Sequence, residues 1–493
     1  MIIASVISYT LRFFTLIGLC LLLPACKVGP DYRKPDNLLP KHWLSSQSKQ
    51  KEKNGAAIEV AWWQNFHDPV LNKLIAKAAN RNLDIKIAGT RIAEARALRA
   101  SADALLFPVG GVMASANRQA NQIGLPSGVS SAISNGIKQP FNIFKSGFDA
   151  SWELDLFGRY RREAESAGAE FEASIISSED VLISTLAEVA NTYLDIRQYQ
   201  AQLSKAQETV ASDIKTAEIT KQMFATGKTA GIDVSRAEAQ QHQDQTQTHF
   251  YSKLLTQAEF SMDILLGERP GTAHMLVNPV SAIPVSDKKL VLAAPAAVIA
   301  QRPDIRNAER KLASATAQQG VAVAKFFPDI SLTGFIGLFN TNAANFLSVS
   351  SKSWSMGANV LWPILSYGSL SANLDAADAK QREALAKYQK SIISALSDVE
   401  RSVNAYTEQE KYTQSLEKAA AADLHVYEIA LHRYEEGLTS YFEVLDSQRK
   451  LYASQNQLLL AEAQTSRNLI AVYKSLGGGW KPDKLLGTVA EQH

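Results

Sequence analysis

The sequence has little cysteine, little net charge and no long apolar run after its first residues. Only Cys20 and Cys26 are cysteines, and because Cys20 lies in the N-terminal apolar run, a disulfide framework is excluded. The 51 lysine and arginine residues nearly balance the 49 aspartate and glutamate residues, which argues against a nucleic-acid-binding protein. Without a later run of about 18 apolar residues, no transmembrane helix is expected. The chain is therefore either soluble or crosses a membrane as a β-barrel, whose strands give a weaker signal.

The N-terminus resembles the signal peptide of a bacterial lipoprotein. Residues 13–23 are almost all apolar and too short to span a bilayer as a helix. They lead into Leu23-Pro24-Ala25-Cys26, which resembles a lipoprotein cleavage box. Cleavage there would leave Cys26 first in the chain with a lipid on its thiol, and several acyl chains together give stable membrane anchoring. Ordinary signal cleavage with Cys26 unmodified is the alternative.

One long unit occurs twice in the chain. Residues 82–108 align without gaps with residues 302–328, so that Asp84 matches Asp304 at an offset of 220. The offset then falls to 210, at which Gly227 matches Gly437. A repeat of this length decides the architecture before any local pattern does.

Each repeat contains two strand-like segments of about ten residues, the length of a tilted transmembrane strand. Residues 148–157 alternate strictly between apolar and polar side chains, and residues 354–362 repeat the alternation. The segments after Pro108 and Pro328 are the expected partner strands. The polar positions of the first alternating segment, predicted to face a wet barrel lumen, are Asp149, Ser151, Glu153 and Asp155. A soluble sandwich with one wet face is the alternative.

Each repeat also contains one very long helix and a shorter one that returns. No proline interrupts residues 159–224, and apolar residues recur at spacings of three and four, as in a coiled coil. At 1.5 Å per residue, about 65 residues make a rod of roughly 100 Å. Gly227 and Gly437 are predicted to end the long helices as C-cap glycines. Residues 233–266 and 443–476 then return, so that each repeat ends in a helical hairpin.

These elements predict an α+β membrane protein with an internal duplication. Four strands per chain cannot close a barrel, and open edges are not tolerated in lipid. Three chains would supply twelve strands and twelve helices. We therefore expect a trimeric twelve-stranded β-barrel that is continued by a long α-helical coiled-coil tunnel in the periplasm.

The chain resembles the TolC-like outer-membrane efflux proteins, and within them the acylated branch described as NodT-type or OprM-like. The stretches that carry the resemblance are CKVGPDYRKP, WELDLFGRYRRE, RPDIRNAERKLASATAQQGVAVAKFFPDISLTG and YEEGLTSYFEVLDSQRKLY. The resemblance implies a homotrimer in the outer membrane of a Gram-negative bacterium. It would be a passive exit duct, not an enzyme, through which a tripartite pump expels drugs or other small toxic compounds. The implied partners are outer-membrane lipid, a periplasmic adaptor and an inner-membrane transporter, commonly of the RND type.

The resemblance also implies a gate at the periplasmic tip, where inward-coiled helices close the duct. On this motif Asp446 is the candidate constriction acid, with Glu443 and Tyr434 as neighbours and Asp233 as the candidate acid of the first tip. Three symmetry-related carboxylates near an axis repel, bind cations and raise one another's pKa. A solvated surface charge is the alternative for each acid. The residues of the tip loops expected to contact the adaptor are Gly227, Lys228, Thr229, Gly437, Leu438 and Thr439.

We accordingly divide the chain by function. The divisions are a signal peptide (1–25), an acylated N-terminal segment with part of the equatorial region (26–70), repeat 1 (71–267), an equatorial linker (268–297), repeat 2 (298–477) and a C-terminal tail (478–493). No cofactor, metal site or nucleic-acid partner is predicted. His242 and His249, for example, are two helical turns apart, about 10.5 Å, which is too far for one metal ion.

Two other functions remain open at this point. The duct could serve a type I protein-secretion system, since nothing in the chain separates that cargo from small compounds. A periplasmic coiled-coil adaptor shares long hairpins and lipidation, although it lacks the duplicated strands.

We predict that replacing Cys26 with alanine leaves the protein dependent on detergent for extraction from membranes, because the strands and not the lipid hold it there. Fractionation of membranes washed with salt and with carbonate measures this. Release by either wash would favour the adaptor.

Overall fold

The computed structural model describes residues 27–36, 39–44, 60–120, 140–278, 280–286 and 292–478. The predicted signal peptide, Cys26 and most of the C-terminal tail lie outside these residues. Within them the chain forms two compact units. The first contains the residues up to Pro35 together with Glu94–Glu172 and Glu309–Lys387, and the second contains the remainder. Each unit thus takes segments from both predicted repeats.

The first unit contains a four-stranded antiparallel sheet in the order β1-β2-β3-β4. Its strands are β1 (Val109–Gln119), β2 (Phe141–Glu153), β3 (Asp329–Asn340) and β4 (Lys352–Leu361). All four overlap the segments where the sequence predicts strands, although β2 begins at Phe141, seven residues before the predicted segment. Each repeat contributes one hairpin, and β2 pairs with β3 to join the two.

The register of the sheet separates an apolar face from a polar one. Val112, Phe148, Ile336 and Trp354 form one row across the four strands, and all four side chains are exposed. The next row contains Gly111, Asp149, Phe335 and Ser355 and points to the opposite face, because successive side chains alternate. Phe335 is the one large apolar side chain in this row. Among the described residues, no helix has the length and apolar character needed to cross a membrane.

The structure corrects the predicted extent of the second strand. β2 ends at Glu153, and Asp155 has a left-handed backbone with φ 45°. The carboxylate of Asp155 accepts hydrogen bonds from the backbone N–H groups of Tyr160 and Arg161, each at 3.0 Å. The first N–H groups of a helix have no partner within it, so an acidic side chain at this point caps the following helix. The prediction that Asp155 belongs to a strand face is therefore wrong.

The helices follow the predicted pattern of one long helix and one return helix per repeat. The long helices have 67 and 69 residues, and each return helix has 35. In chain order the helices are α1 (Pro69–Arg81), α2 (Leu83–Ala104), α3 (Arg159–Ala225), α4 (Gly231–Leu265), α5 (Thr272–Val277), α6 (Pro295–Gln301), α7 (Pro303–Ala324), α8 (Tyr367–Glu435) and α9 (Tyr441–Ser475).

Both long helices end in the same glycine motif. Gly227 has φ +71°, its N–H bonds to the Phe224 carbonyl at 2.9 Å, and the next N–H, of Lys228, bonds to the Met223 carbonyl at 2.8 Å. Gly437 repeats this arrangement with φ +75°. This pair of bonds is the Schellman motif, in which glycine avoids the strain of a left-handed backbone. The predicted C-cap glycines are confirmed.

The main core of the second unit is built around Trp62. Its indole stacks on Tyr473 with ring centroids 5.8 Å apart, and both rings are buried. Nearby, Trp43 is also buried, and its Nε1 donates to the Ala293 carbonyl at 2.7 Å. Residues before α1 and after α5 therefore pack on the helices as part of one core.

Two glycine substitutions should separate backbone strain from steric clash. Gly227→Ala has open space for its Cβ and should cost about 1–2 kcal/mol, from the left-handed backbone alone. Gly267 also has a positive φ, and its Cβ would lie 2.5 Å from the Arg81 carbonyl oxygen, so Gly267→Ala should cost more. Denaturant unfolding followed by circular dichroism measures both. Equal midpoints would contradict this close packing.

Candidate functional site

A buried aromatic cluster joins the two helical hairpins near their turns, within the second unit. Tyr434 of α8 and Tyr441 of α9 have ring centroids 5.7 Å apart, and both are 2% exposed. Burial raises the pKa of Tyr441 above its ordinary value. The cluster consists of Ala217, Ala237, Tyr427, Tyr434, Tyr441, Val444, Leu445 and Leu451, which come from all four hairpin helices. We call this set the tip cluster.

Tyr434 links the hairpins rather than standing on an open surface. Its hydroxyl donates to Thr220 Oγ1 of α3 at 3.3 Å. The Thr220 hydroxyl in turn donates to the Thr216 carbonyl at 2.8 Å. Any movement of the second hairpin away from the first must break this buried contact.

The two acids predicted for the second tip lie one helical turn apart on α9. Glu443 is exposed in the first turn of the helix, where the helix dipole favours a negative charge. Asp446 is half exposed and forms an ion pair with Lys450 at 2.7 Å. Residues three apart share a helix face, so the two carboxylates form one acidic patch.

Asp233, the acid predicted for the first tip, is used locally. It lies in the first turn of α4 and accepts a hydrogen bond from the Thr229 hydroxyl at 2.7 Å. Arg236 also lies 3.4 Å from its carboxylate. Asp233 therefore stabilises the turn between α3 and α4.

Exposed apolar side chains surround both glycine turns. Phe224 and Ile232 flank the first turn, and Leu438 and Phe442 flank the second, each more than half exposed. Large apolar side chains grouped in this way are typical of surfaces that contact another protein.

Polar contacts between the hairpins were not predicted from the sequence. Gln448 of α9 donates to Asp213 of α3 at 2.5 Å. Arg449 of α9 donates to Gln240 of α4 at 3.0 and 2.8 Å. The only signal in the sequence was the polar pair Gln448 and Arg449, two and three residues after Asp446.

The segment that follows Cys26 is held by a buried arginine of the first unit. Arg162 of α3 is fully buried. It donates to the carbonyl oxygens of Val28 and Gly29 at 3.1 and 3.0 Å and to the carboxylate of Asp31 at 2.9 Å. Lys27 pairs with Glu165 on the same helix. We call Lys27, Val28, Gly29, Asp31 and Arg162 the N-terminal clamp.

Close glycine contact makes the clamp possible. A Cβ on Gly29 would lie 2.6 Å from the Cα of Gly320, and a Cβ on Gly320 would lie 2.7 Å from Arg162 Nε. Only glycine allows the segment, α7 and Arg162 to approach this closely. The described residues contain no group of three or more histidine, cysteine, aspartate or glutamate side chains that could hold a metal ion.

Comparisons with known proteins agree on one family. The sequence model for the family described as "Outer membrane efflux protein" matches residues 74–268 and 294–478. Nodulation protein T of Rhizobium leguminosarum bv. trifolii is 31% identical over 412 residues, which are 83% of this chain and 84% of that protein. The solvent efflux pump outer membrane protein SrpC of Pseudomonas putida is 30% identical over 463 residues, which are 93% of this chain and 97% of that protein.

Solved structures give the same result. The outer-membrane channel OprN matches with a TM-score of 0.84 and 31% identity, over 93% of this chain and 100% of that one. The Campylobacter jejuni CmeC outer membrane channel matches with a TM-score of 0.85 at 22% identity, which supports the fold.

Two paired strands and one long helical hairpin per repeat define an outer-membrane efflux duct. The chain belongs to the outer membrane efflux protein family. It is thus an exit duct in the outer membrane of a Gram-negative bacterium and not an enzyme. The family works as trimers together with an adaptor and an inner-membrane transporter. The predicted fold class is confirmed, and the periplasmic adaptor is no longer an alternative.

We predict that Arg162→Ala releases the N-terminal clamp. Removing the guanidinium takes away a charged donor from the Val28 and Gly29 carbonyl groups and from Asp31, and a hydrogen bond to a charged group contributes about 1.5–3 kcal/mol. Tryptic cleavage after Lys27 and Arg33, followed by mass spectrometry, should accelerate about tenfold, because each ~1.4 kcal/mol is a factor of ten. Arg96→Ala, an exposed arginine that contacts Phe171, is the control. Equal cleavage rates in the two variants would show that Arg162 does not hold the segment.

Proposed function

We propose that three copies of this chain together form the outer-membrane component of a tripartite pump that expels small toxic organic compounds. The observation that carries this proposal is the sheet, whose exposed apolar row faces away from its polar face. Two relatives from Pseudomonas putida are a solvent efflux pump outer membrane protein and a toluene efflux pump outer membrane protein, and such small organic compounds are the proposed cargo here. The inner-membrane transporter is proposed to be of the RND type.

The sheet is proposed to lie in the outer membrane as one third of a twelve-stranded barrel. In this arrangement the exposed row Val112, Phe148, Ile336 and Trp354 would contact lipid. Asp149, Ser151 and Glu153 would face the lumen, where water solvates acidic and hydroxyl groups. Acyl chains on Cys26 would add an anchor next to the N-terminal clamp.

Glu443 and Asp446 are proposed to form the constriction at the periplasmic tip. Support comes from their exposure on one face of α9 and from the packing of that helix through the tip cluster. Tyr434 is proposed to hold the closed state from inside, through Thr220, and Asp233 to keep the first turn rigid. The adaptor would contact the two glycine turns, including Lys228, Thr229, Leu438 and Thr439, with the exposed apolar side chains around them.

Replacing Asp446 with alanine should raise the single-channel conductance of the protein in planar lipid bilayers. The change removes three like charges near the axis and frees Lys450 from its ion pair. Block by divalent cations should weaken at the same time, because carboxylate rings attract cations.

Glu408→Ala is the matched control for this measurement. Glu408 forms an ion pair with Lys411 at 2.7 Å, and both side chains are exposed in the same way as the Asp446 pair. Its conductance should equal that of the unaltered protein. If Asp446→Ala changes neither conductance nor cation block, Asp446 is not part of the gate.

A further inference from the structure

A buried aspartate, which has no cation partner among the described residues, lies between the two hairpins. Asp213 of α3 is 3% exposed, and its Oδ1 accepts the hydrogen bond from Gln448, which is 1% exposed. Its other oxygen, Oδ2, is buried and finds no hydrogen-bond donor in the described part of the chain. Burying a carboxylate is costly, because its charge loses the water that solvates it. The site must therefore supply either a proton or a compensating charge.

A second carboxyl group meets Asp213 from α4. The carboxyl group of Asp244 lies close enough to Asp213 for its charge to raise the pKa of Asp213, and Asp244 Oδ2 accepts from Gln240 at 2.7 Å. Two carboxylates in contact repel, whereas a carboxylic acid and a carboxylate share a short, strong hydrogen bond. One proton between Asp213 and Asp244 would remove the repulsion and give the unsatisfied Oδ2 its partner.

Within the described residues, no other group around Asp213 provides a compensating charge by direct contact. The titratable side chains that interact with Asp213 are Asp244, Tyr441 and Tyr452, and Tyr427 and Arg449 lie next to these tyrosines. Arg449 is engaged with Gln240 instead. Lys205, which lines a groove beside Asp244, pairs with Glu208 at 2.9 Å.

Burial, and then the nearby charge of Asp244, raises the pKa of Asp213 to about 7. A raised carboxyl pKa means that the folded protein holds the proton more tightly than the unfolded chain does. The proton therefore stabilises the fold fully below the ordinary pKa of aspartate, near 3.9, and this contribution is lost as the pH rises through about 7.

Asp244 also lines a cavity of about 240 Å³ with Tyr251 and Tyr452, which gives water a route to the pair.

We propose that Asp213 and Asp244 share one proton and act as a proton-dependent latch within the first hairpin, to which the second hairpin is joined through Gln448. With the proton bound, the pair ties α3 to α4 and presents Asp213 Oδ1 to Gln448. After the proton leaves, the two charges repel, and the hold on α9, the helix that carries Glu443 and Asp446, weakens. Only this consequence for the gate rests on the proposed function; the shared proton does not.

The latch belongs to the first hairpin alone. The positions 210 residues later hold Asp423 and Ser454, so the second repeat has no matching carboxyl pair. Asp423 therefore provides a control aspartate at the equivalent place in the duplicated unit.

Infrared difference spectroscopy of the detergent-solubilised full-length protein tests the shared proton directly. Between pH 5.5 and pH 8.5 the unaltered protein should lose carboxylic acid C=O absorbance with a midpoint near pH 7. Part of this loss comes from Glu179, because burial raises its pKa to about 7 as well. Asp213→Asn should lose less of this absorbance than the unaltered protein, and Asp423→Asn should lose the same amount. An undiminished loss in Asp213→Asn would overturn the proposal whether or not the protein conducts.

Conductance in planar bilayers over the same pH range tests the consequence for the gate. The unaltered protein and Asp423→Asn should conduct more as the pH rises through about 7. Asp213→Asn should lose this rise and stay at the low-pH level, because its amide can donate to Asp244 and accept from Gln448 at every pH. Asp244→Asn should lose the rise as well. If the infrared result is as expected but the conductance of the unaltered protein does not change with pH, the latch is rejected and the shared proton still stands.

Discussion

Unpaired backbone groups at the two outer edges of the sheet are the constraint on which the rest of the structure depends. In the described residues β1 pairs only with β2, and β4 only with β3. An open edge in lipid leaves N–H and C=O groups without partners, at a cost of several kcal/mol each. Association of three chains, as in the rest of the family, pairs these edges, and the three sets of hairpins then surround one axis. In the proposed gate, the same association would bring Glu443 and Asp446 of each chain close to their copies in the other two chains.

Duplication gives the two hairpins the same helices and glycine turns but different polar side chains between them. The glycine turns at Gly227 and Gly437 are superimposable in their hydrogen bonds, and so each long helix ends in the same way. The polar side chains between the hairpins differ, because Asp213 and Asp244 have no equivalent pair in the second copy. In the proposed latch, the first hairpin supports the second more strongly when Asp213 and Asp244 share a proton, and the second hairpin carries the exposed acids Glu443 and Asp446.

Local patterns in the sequence predicted the elements well. The two-residue alternation around Phe148 and Trp354 predicted the strands, and the proline-free stretches predicted the helices. Both signals depend only on neighbouring residues. Asp155 was misplaced because the alternation continues past the strand, while the first N–H groups of α3 need a cap. The alternation of apolar and polar residues does not show that the N–H groups at the start of α3 need a capping side chain.

Contacts between distant segments could not be predicted in the same way. Arg162 and Val28 are 134 residues apart, and Gln448 and Asp213 are 235 apart. Neither pair has a local signature, because a buried arginine or aspartate looks like a surface charge until its surroundings are known. The family resemblance placed Asp446 and Tyr434 at the tip, but only the structure separates the exposed acid from the buried tyrosine.

Disulfide cross-linking across the sheet edges is the most direct test of the account. With cysteines placed on β1 and on β4 of one chain, oxidation of the protein in membranes should link neighbouring copies into covalent trimers, seen on a denaturing gel. Cysteines on β2 and β3, which already pair within one chain, should give no links between chains. The account predicts trimers from the edge pair alone, and a protein that stays monomeric with every edge pair would contradict it.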